Sequence, residues 1–226
     1  MNVKRRSLLK GMALGGLAGA AVSGSGLASA MSAAVARPAM PTLALVSGAA
    51  AQSAFIYGLS AAPAGQQIKV QRTDLDLGFM LGLEKRLRSG QPQRIIGLVD
   101  DASAALIVDL ARSAGARIQW LGQHTTDGKR SQHQMLSAAV ADGCALQMGL
   151  GLKACGAGFA LNEQRLPGKT ALQAAAAGFG GASEQWATSL GFALASLGQV
   201  GNAAAPQIAK RPAPMTGTFV SFSIEA

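Results

Sequence analysis

Ser47, Asp100 and His124 are the side chains of this sequence that could do chemistry if brought together. A hydroxyl, an imidazole and a carboxylate are the parts of a nucleophile, its base and the group that orients the base. Each follows a short apolar run. Ser47-Gly48 comes after residues 42–46, Asp100-Asp101 after 94–99, and Gln123-His124-Thr125-Thr126 after 117–121, while Asp74 and Asp76 follow 68–71. If those runs are strands of one open sheet, their carboxyl ends form a rim where ligands gather. Ser47 does not sit in the Gly-x-Ser-x-Gly elbow that exposes a nucleophile. Two further chemistries fit the rim. A metal held by Asp100, Asp101 and His124, with His133 as fourth ligand, has the right atoms but no specific spacing. A phosphate at Ser47-Gly48-Ala49 would use a helix N-terminus, but neither Gly-x-Gly-x-x-Gly nor a Walker lysine is present. No metal or cofactor is therefore assigned.

Each residue also has a plainer role. Asp101 suits the N-cap of the helix after the third run, Asp74 or Asp76 that of the second helix, and Ser47 that of the first. Asp100 and His124 are left without a capping role. His133 is expected as a solvated neutral side chain in the first turn of a helix, where the dipole disfavours an imidazolium. Cys144 and Cys155 would be a candidate disulfide in an oxidising compartment, or two small buried apolar side chains. They lack the close Cys-x-x-Cys spacing of zinc sites.

The elements that must position these groups alternate from residue 42 onward. Thr42–Val46 and Arg94–Val99 are apolar strands, Ile68–Gln71 alternates like a strand exposed on one face, and Arg117–Leu121 is a fourth strand. Helical spacing covers residues 49–61, 77–87 and 102–113. The pattern predicts an α/β fold of three layers with a mostly parallel sheet. Its order is 2-1-3-4, flavodoxin-like or Rossmann-like, with the two apolar strands central. Ser131-x-x-Gln134 reads as a capping box opening a helix to about Met148. Residues 149–181 are Gly/Ala-rich and irregular, with a strand near Phe159 or a short helix at 170–177 as options. A helix starts near Ser183, residues 199–215 form a Pro/Ala-rich linker, and Val220, Phe222 and Ile224 alternate in a half-exposed strand expected at the sheet edge.

The N-terminus carries Lys4-Arg5-Arg6-Ser7-Leu8-Leu9-Lys10, then residues 11–27 rich in Gly, Ala and Leu, then two small-x-small cleavage sites, Ala28-Ser29-Ala30 and Ala34-Val35-Ala36. These are the three regions of a secretory leader. The stretch 4–10 resembles a twin-arginine (Tat) signal, keeping Arg5, Arg6, Leu9 and Lys10, with Lys4 and Leu8 at positions where a hydroxyl residue and Phe are usual. The resemblance implies a leader over 1–36, recognition by the Tat translocase, export to the periplasm and a single domain over 37–226. It covers the leader alone and assigns no residue of the mature domain. The Gly/Ala-rich 11–30 stretch is too weakly apolar to insert strongly as a membrane span, and no stable span is expected after cleavage.

Of 20 basic residues, four belong to the leader, which leaves 16 against 11 acidic ones. The remaining basic residues are scattered without interleaved aromatics, unlike the basic stripe of a nucleic-acid-binding surface. Few aromatics, two histidines and no recognised catalytic motif point to a non-catalytic accessory, subunit or binding protein with a protein partner in the periplasm. The alternative is a small hydrolase or metal-dependent enzyme using Ser47, Asp100 and His124.

Overall fold

The computed structural model describes residues 40–166, 169–178, 184–198, 204–208 and 214–226. The leader 1–36 with Arg5 and Arg6, and parts of the 149–181 and 199–215 segments, lie outside them. In chain order the elements are β1 (Thr42–Val46), α1 (Ala54–Ala61), β2 (Lys69–Arg72), α2 (Leu77–Leu87), β3 (Arg94–Asp100), α3 (Asp101–Ser113), β4 (Arg117–Thr126), β5 (Arg130–Ser137), α4 (Cys144–Ala154), β6 (Gly158–Arg165), β7 (Lys169–Ala176), α5 (Gln185–Ala195) and β8 (Gly217–Glu225). All eight strands join one α/β sheet in the order β2-β1-β3-β8-β4-β5-β6-β7.

The first half follows the sequence pattern. β1 pairs in parallel with β2 and β3, and the apolar β1 and β3 lie inside the sheet with the polar β2 at its edge. The second half corrects the expected order 2-1-3-4 and the mostly parallel sheet. β8 is not an edge strand: it runs antiparallel between β3 and β4. β4 is antiparallel to both β8 and β5, β5 and β6 are parallel, and β6 and β7 are antiparallel. The sheet is mixed. β8 alternates as expected, but both of its faces are buried, including Ser221 and Ser223. Its polar positions look inward, which period-two alternation alone does not reveal.

The expected helix from Ser131 is instead β5. Ser131, His133, Met135 and Ser137 point inward while Gln132, Gln134 and Leu136 are exposed. The Asp127-Gly128 turn closes the β4–β5 hairpin. Asp127 Oδ1 accepts from the Lys129 and Arg130 amides at 2.8 and 2.7 Å, and Gly128 takes the left-handed φ of 83°. Residues 169–176 form strand β7 rather than a short helix.

Two apolar layers flank the sheet. One joins α1, α4 and α5 to inward residues of β1 and β3 to β6, with Phe55, Trp120, Met148, Phe159 and Trp186 among its largest members. The other packs α2 and α3 on Leu45, Ile95, Val99, Phe222 and Ile224. The sheet is therefore covered on both sides around β1, β3 and β8. Beyond β4 no helix among the described residues covers the second side, so among them the three-layer expectation holds over half the sheet only.

All eleven residues of α5 are buried. Such a helix needs neighbours on every side and close backbone approach. Gly58 of α1 and Gly191 of α5 supply it. A Cβ at Gly58 would lie 2.0 Å from the Thr188 carbonyl oxygen, and one at Gly191 would lie 2.3 Å from the Phe55 oxygen. Thr188 Oγ1 donates to the Ala54 carbonyl across the same seam. Ends are tied as well. Glu184 Oε1 accepts from the Met215 amide, and Gln185 exchanges hydrogen bonds with Pro206 O and Ile208 N. At the C-terminal end Arg94 donates to Leu197 O and pairs with Glu225.

Gly58→Ala and Gly191→Ala are each expected to lower stability by about 1–3 kcal/mol through overpacking against backbone. Gly82 of α2 has nothing within 4 Å of its would-be Cβ. Gly82→Ala is expected to raise stability by about 0.5–1 kcal/mol through helix propensity alone. Urea denaturation of the three variants measures the contrast.

Candidate functional site

The rim residues separate into two groups. Ser47 and Asp100 meet at the ends of β1 and β3: Ser47 Oγ accepts from the Asp100 amide at 2.8 Å. Asp100, not Asp101, is the N-cap of α3. Its Oδ1 accepts from Ser103 N at 2.9 Å and its Oδ2 from Ser103 Oγ at 2.8 Å. Burial pushes the Asp100 carboxyl up, but the Ser103 amide and hydroxyl, with Ser47, outweigh it and hold it below its ordinary value. Ser47 makes no side-chain cap; Ser53 caps α1 instead, and Asp76 caps α2. Asp74 and Asp101 are exposed.

His124 lies two strands from Asp100, across β8, in the row Asp100, Phe219, His124. Its ring faces α5 and is fully buried. His133, expected in solvent on a helix, is instead directly opposite His124 on β5 and equally buried. Strand alternation puts both imidazoles on the covered face, where their Nδ1 atoms meet at 2.9 Å. His124 Nε2 lies 2.7 Å from Ser221 Oγ, and His133 Nε2 lies 2.8 Å from Ser131 Oγ. Trp120 Nε1 donates to Ser221 Oγ at 2.8 Å. Trp186 of α5 stacks on His124, with ring centroids 5.4 Å apart and planes 25° apart.

Donor counting fixes the direction of this chain. Ser221 Oγ already accepts from Trp120, so its own proton needs an acceptor, and His124 Nε2 is the atom within reach. His124 then carries its proton on Nδ1 and donates to His133 Nδ1, and His133 carries its proton on Nε2 and donates to Ser131. In the opposite direction Ser221 would accept twice and its hydroxyl proton would have no partner in the chain, which is costly in a buried site. Both imidazoles are neutral. Burial holds His124 well below its usual value, with repulsion from His133 adding to it, and burial pushes His133 down to about 3. Gly122 makes room for the knot: a Cβ there would lie 2.7 Å from Ser221 Oγ and 2.9 Å from His124 Nε2.

Both ring nitrogens of His124 are thus engaged, and neither contacts Ser47 or Asp100. Among the described residues no three of His, Cys, Asp and Glu converge as metal ligands. Cys144 and Cys155 are free, which corrects the candidate disulfide. They sit at opposite ends of α4, about 16 Å apart at the ~1.5 Å rise per helical residue. A bridge needs Cα atoms within about 7 Å. Cys144 is packed as a buried apolar side chain, and its thiol is pushed up to about 12 by burial, then by Glu163 and Asp142. The sequence reading also missed Glu163, fully buried on β6, whose carboxylate accepts from Ser137 Oγ and lies 3.7 Å from Arg165.

The open side of β4 to β7 is the other feature of the second half. Leu136, Gln123, Gln132, Gln134, Asn162, Gln164 and Gln173 stand exposed on it. Register places Gln123, Gln134, Asn162 and Gln173 side by side in one row across the four strands. Shallow depressions of about 410 and 300 Å³ lie along this row. No family model, curated protein or solved structure matches the chain.

Two expectations follow from the buried chain. Ser221→Ala strands the Trp120 N–H and a His124 nitrogen, at an expected cost of about 2–4 kcal/mol, since each stranded buried group costs about 1–3. Ser223, equally buried two residues along, has no hydroxyl partner among the described residues, so Ser223→Ala is expected to be near neutral. Equilibrium unfolding of the two variants decides it.

The second expectation concerns pH. The histidines are neutral in the fold but take up protons once unfolded, at their ordinary 6.5. The unfolded state therefore binds more protons below that pH, and stability falls as pH drops from about 6.5 towards 3. The slope approaches about 1.4 kcal/mol per pH unit for each histidine. Denaturation midpoints at pH 7 and pH 5 should show this loss, and His133→Asn should flatten it.

Proposed function

We propose that the protein is a non-catalytic accessory or binding protein of the periplasm, exported through the Tat pathway by its leader, and that it binds through the open side of β4 to β7. The observation that carries this reading is the contrast between the two kinds of polar residue. Those of the rim and the core are consumed internally: Ser47 by the Asp100 amide, Asp100 by Ser103, and His124 by His133 and Ser221. Those of the open side face outward and carry no charge along β5 and β6 between Arg130 and Arg165. Solvated surfaces ordinarily mix charges of both signs, and depletion of charge marks the centre of an interface.

The enzyme reading requires His124 to leave two hydrogen bonds in a buried site before it can serve Ser47. Among the described residues no helix is long and apolar enough to cross a membrane. Export as a folded protein fits a leader whose twin arginines are Arg5 and Arg6.

Three outcomes test the proposal. Arg5→Lys with Arg6→Lys should leave the protein in the cytoplasm, as read by cell fractionation. Gln134→Lys with Asn162→Lys should keep the wild-type melting temperature yet fail to complement a deletion strain. Ser47→Ala should complement it. A Ser47→Ala protein that is exported and folded but inactive in cells would turn the reading towards the enzyme.

A further inference from the structure

α2 carries two apolar rows where a surface helix ordinarily carries one. Leu83 and Leu87 are buried and pack with Leu45 of β1 and Ile95 of β3. Leu77 and Leu81, one turn apart, face solvent instead, 74% and 55% exposed. No other large apolar side chain among the described residues is as exposed as Leu77. Gly78 and Gly82 lie beside these leucines, also one turn apart and exposed. A Cβ at Gly82 would meet nothing within 4 Å, and one at Gly78 only Asp76 Oδ1 at 3.4 Å. The exposed row is therefore two ridges beside two notches.

Charge is sorted along the same row. Asp74 and Asp76 stand at its N-terminal end, and Lys85 and Arg86 at its C-terminal end, all exposed. Asp76 Oδ1 accepts from the Phe79 amide. Asp74, Lys85 and Arg86 make no ion pair among the described residues. This order narrows the occupant. An anionic lipid surface would meet two carboxylates beside the leucines, where an interfacial helix carries basic residues. A uniformly basic partner would meet Lys85 and Arg86. The complement is an apolar row with base opposite the acidic end and acid opposite the basic end. α2 itself, turned end for end, is that row. A two-fold axis between residues 79 and 80 sets Leu77 against Gly82 of a second copy, Leu81 against Gly78, and Asp74 against Lys85. Each contact then occurs twice, as in any two-fold interface. The helix dipoles run antiparallel in such a pair, each acidic end facing a C-terminus that carries basic residues.

We propose that the protein forms a weak two-fold dimer through the exposed row of α2, packed antiparallel on α2 of a second copy. The contact is one face of an eleven-residue helix from each chain, about 16 Å long at ~1.5 Å per residue. It is smaller than the ~800 Å² per partner of a stable interface, so the Kd is on the order of 100 μM. The dimer does not rest on the function proposed for the open side of β4 to β7, which lies towards the other end of the sheet.

Sedimentation velocity of the purified full chain, from about one tenth to about ten times that Kd, should show a monomer–dimer transition. Gly82→Gln fills a notch that is open in the single chain. It should keep or raise the urea midpoint and yet weaken the dimer about tenfold or more, a combination that a change in fold stability alone does not produce. Asp74→Lys and Lys85→Glu should each weaken the dimer about fivefold, and the double variant should restore it. A chain that stays monomeric over the whole range overturns the proposal. A dimer that Gly82→Gln leaves intact overturns it too, because association then uses another surface. So does a double charge variant no tighter than its singles. A monomer that co-sediments with phosphatidylglycerol vesicles, and ceases to do so as Leu77→Ser with Leu81→Ser, makes a lipid surface the occupant and removes the dimer.

Discussion

The rest of the structure depends on one hydroxyl. Ser221 sits at the middle of the last strand, with no exposed surface, and must be satisfied where it lies. It accepts from Trp120 and passes its own proton towards His124, and the chain continues through His133 to Ser131. These contacts join β8, β4 and β5 by side chains as well as by the backbone ladder. A buried polar network of this kind stabilises only when every member is paired. That requirement fixes the tautomers of both histidines, requires the glycine at position 122 and requires a lid that keeps water out.

The lid is α5, and its burial follows from its task. Trp186 lies on the histidines, and the opposite face of the helix meets α1 at Gly58 and Gly191. A helix so enclosed has no polar side to give to solvent. Its hydroxyls and amide turn to neighbours instead: Thr188 to the Ala54 carbonyl, Gln185 to Pro206 and Ile208. The same helix therefore shields the network and pins the connection that leads to β8. Covering β4 to β6 from one side with α4 and α5 leaves no helix among the described residues for the other side, and that asymmetry leaves the amide row exposed.

How much of this was legible depends on which side of each strand is polar. β1 and β3 are apolar across their middles, and their central placement could be read directly; β2 alternates, and its edge position could be read too. The caps were half legible. Asp76 was among the candidates, but Asp100 and Asp101 are equivalent by type, and only the turn geometry gives the cap to Asp100. The second half misled because its buried positions are polar. Ser131, His133 and Ser137 on β5, and Ser221 and Ser223 on β8, look like solvent-facing residues by composition. Ser131 and Gln134 also share the spacing of a capping box. What distinguishes the strand is tertiary pairing, His133 with His124 across the hairpin and Ser221 with Trp120 from a strand far away in sequence. The available signal was two histidines each with a hydroxyl residue two positions away, Thr126 and Ser131, which is a period of two in polar groups rather than apolar ones.

The position of β8 also bears on the proposal that the chain is exported folded. The strand that fills the gap between β3 and β4 follows every other described element in chain order. Until it docks, β3 and β4 each present an open edge in the interior of the sheet, and open edges pair readily with other chains. The histidines and Trp120 also lack their shared partner until then. Contacts this distant in sequence form slowly. A chain threaded unfolded through a membrane would have to meet both hazards on the far side, whereas one completed in the cytoplasm crosses with its central strand in place. That physical constraint favours the twin-arginine reading of Arg5 and Arg6 without requiring a cofactor to explain it.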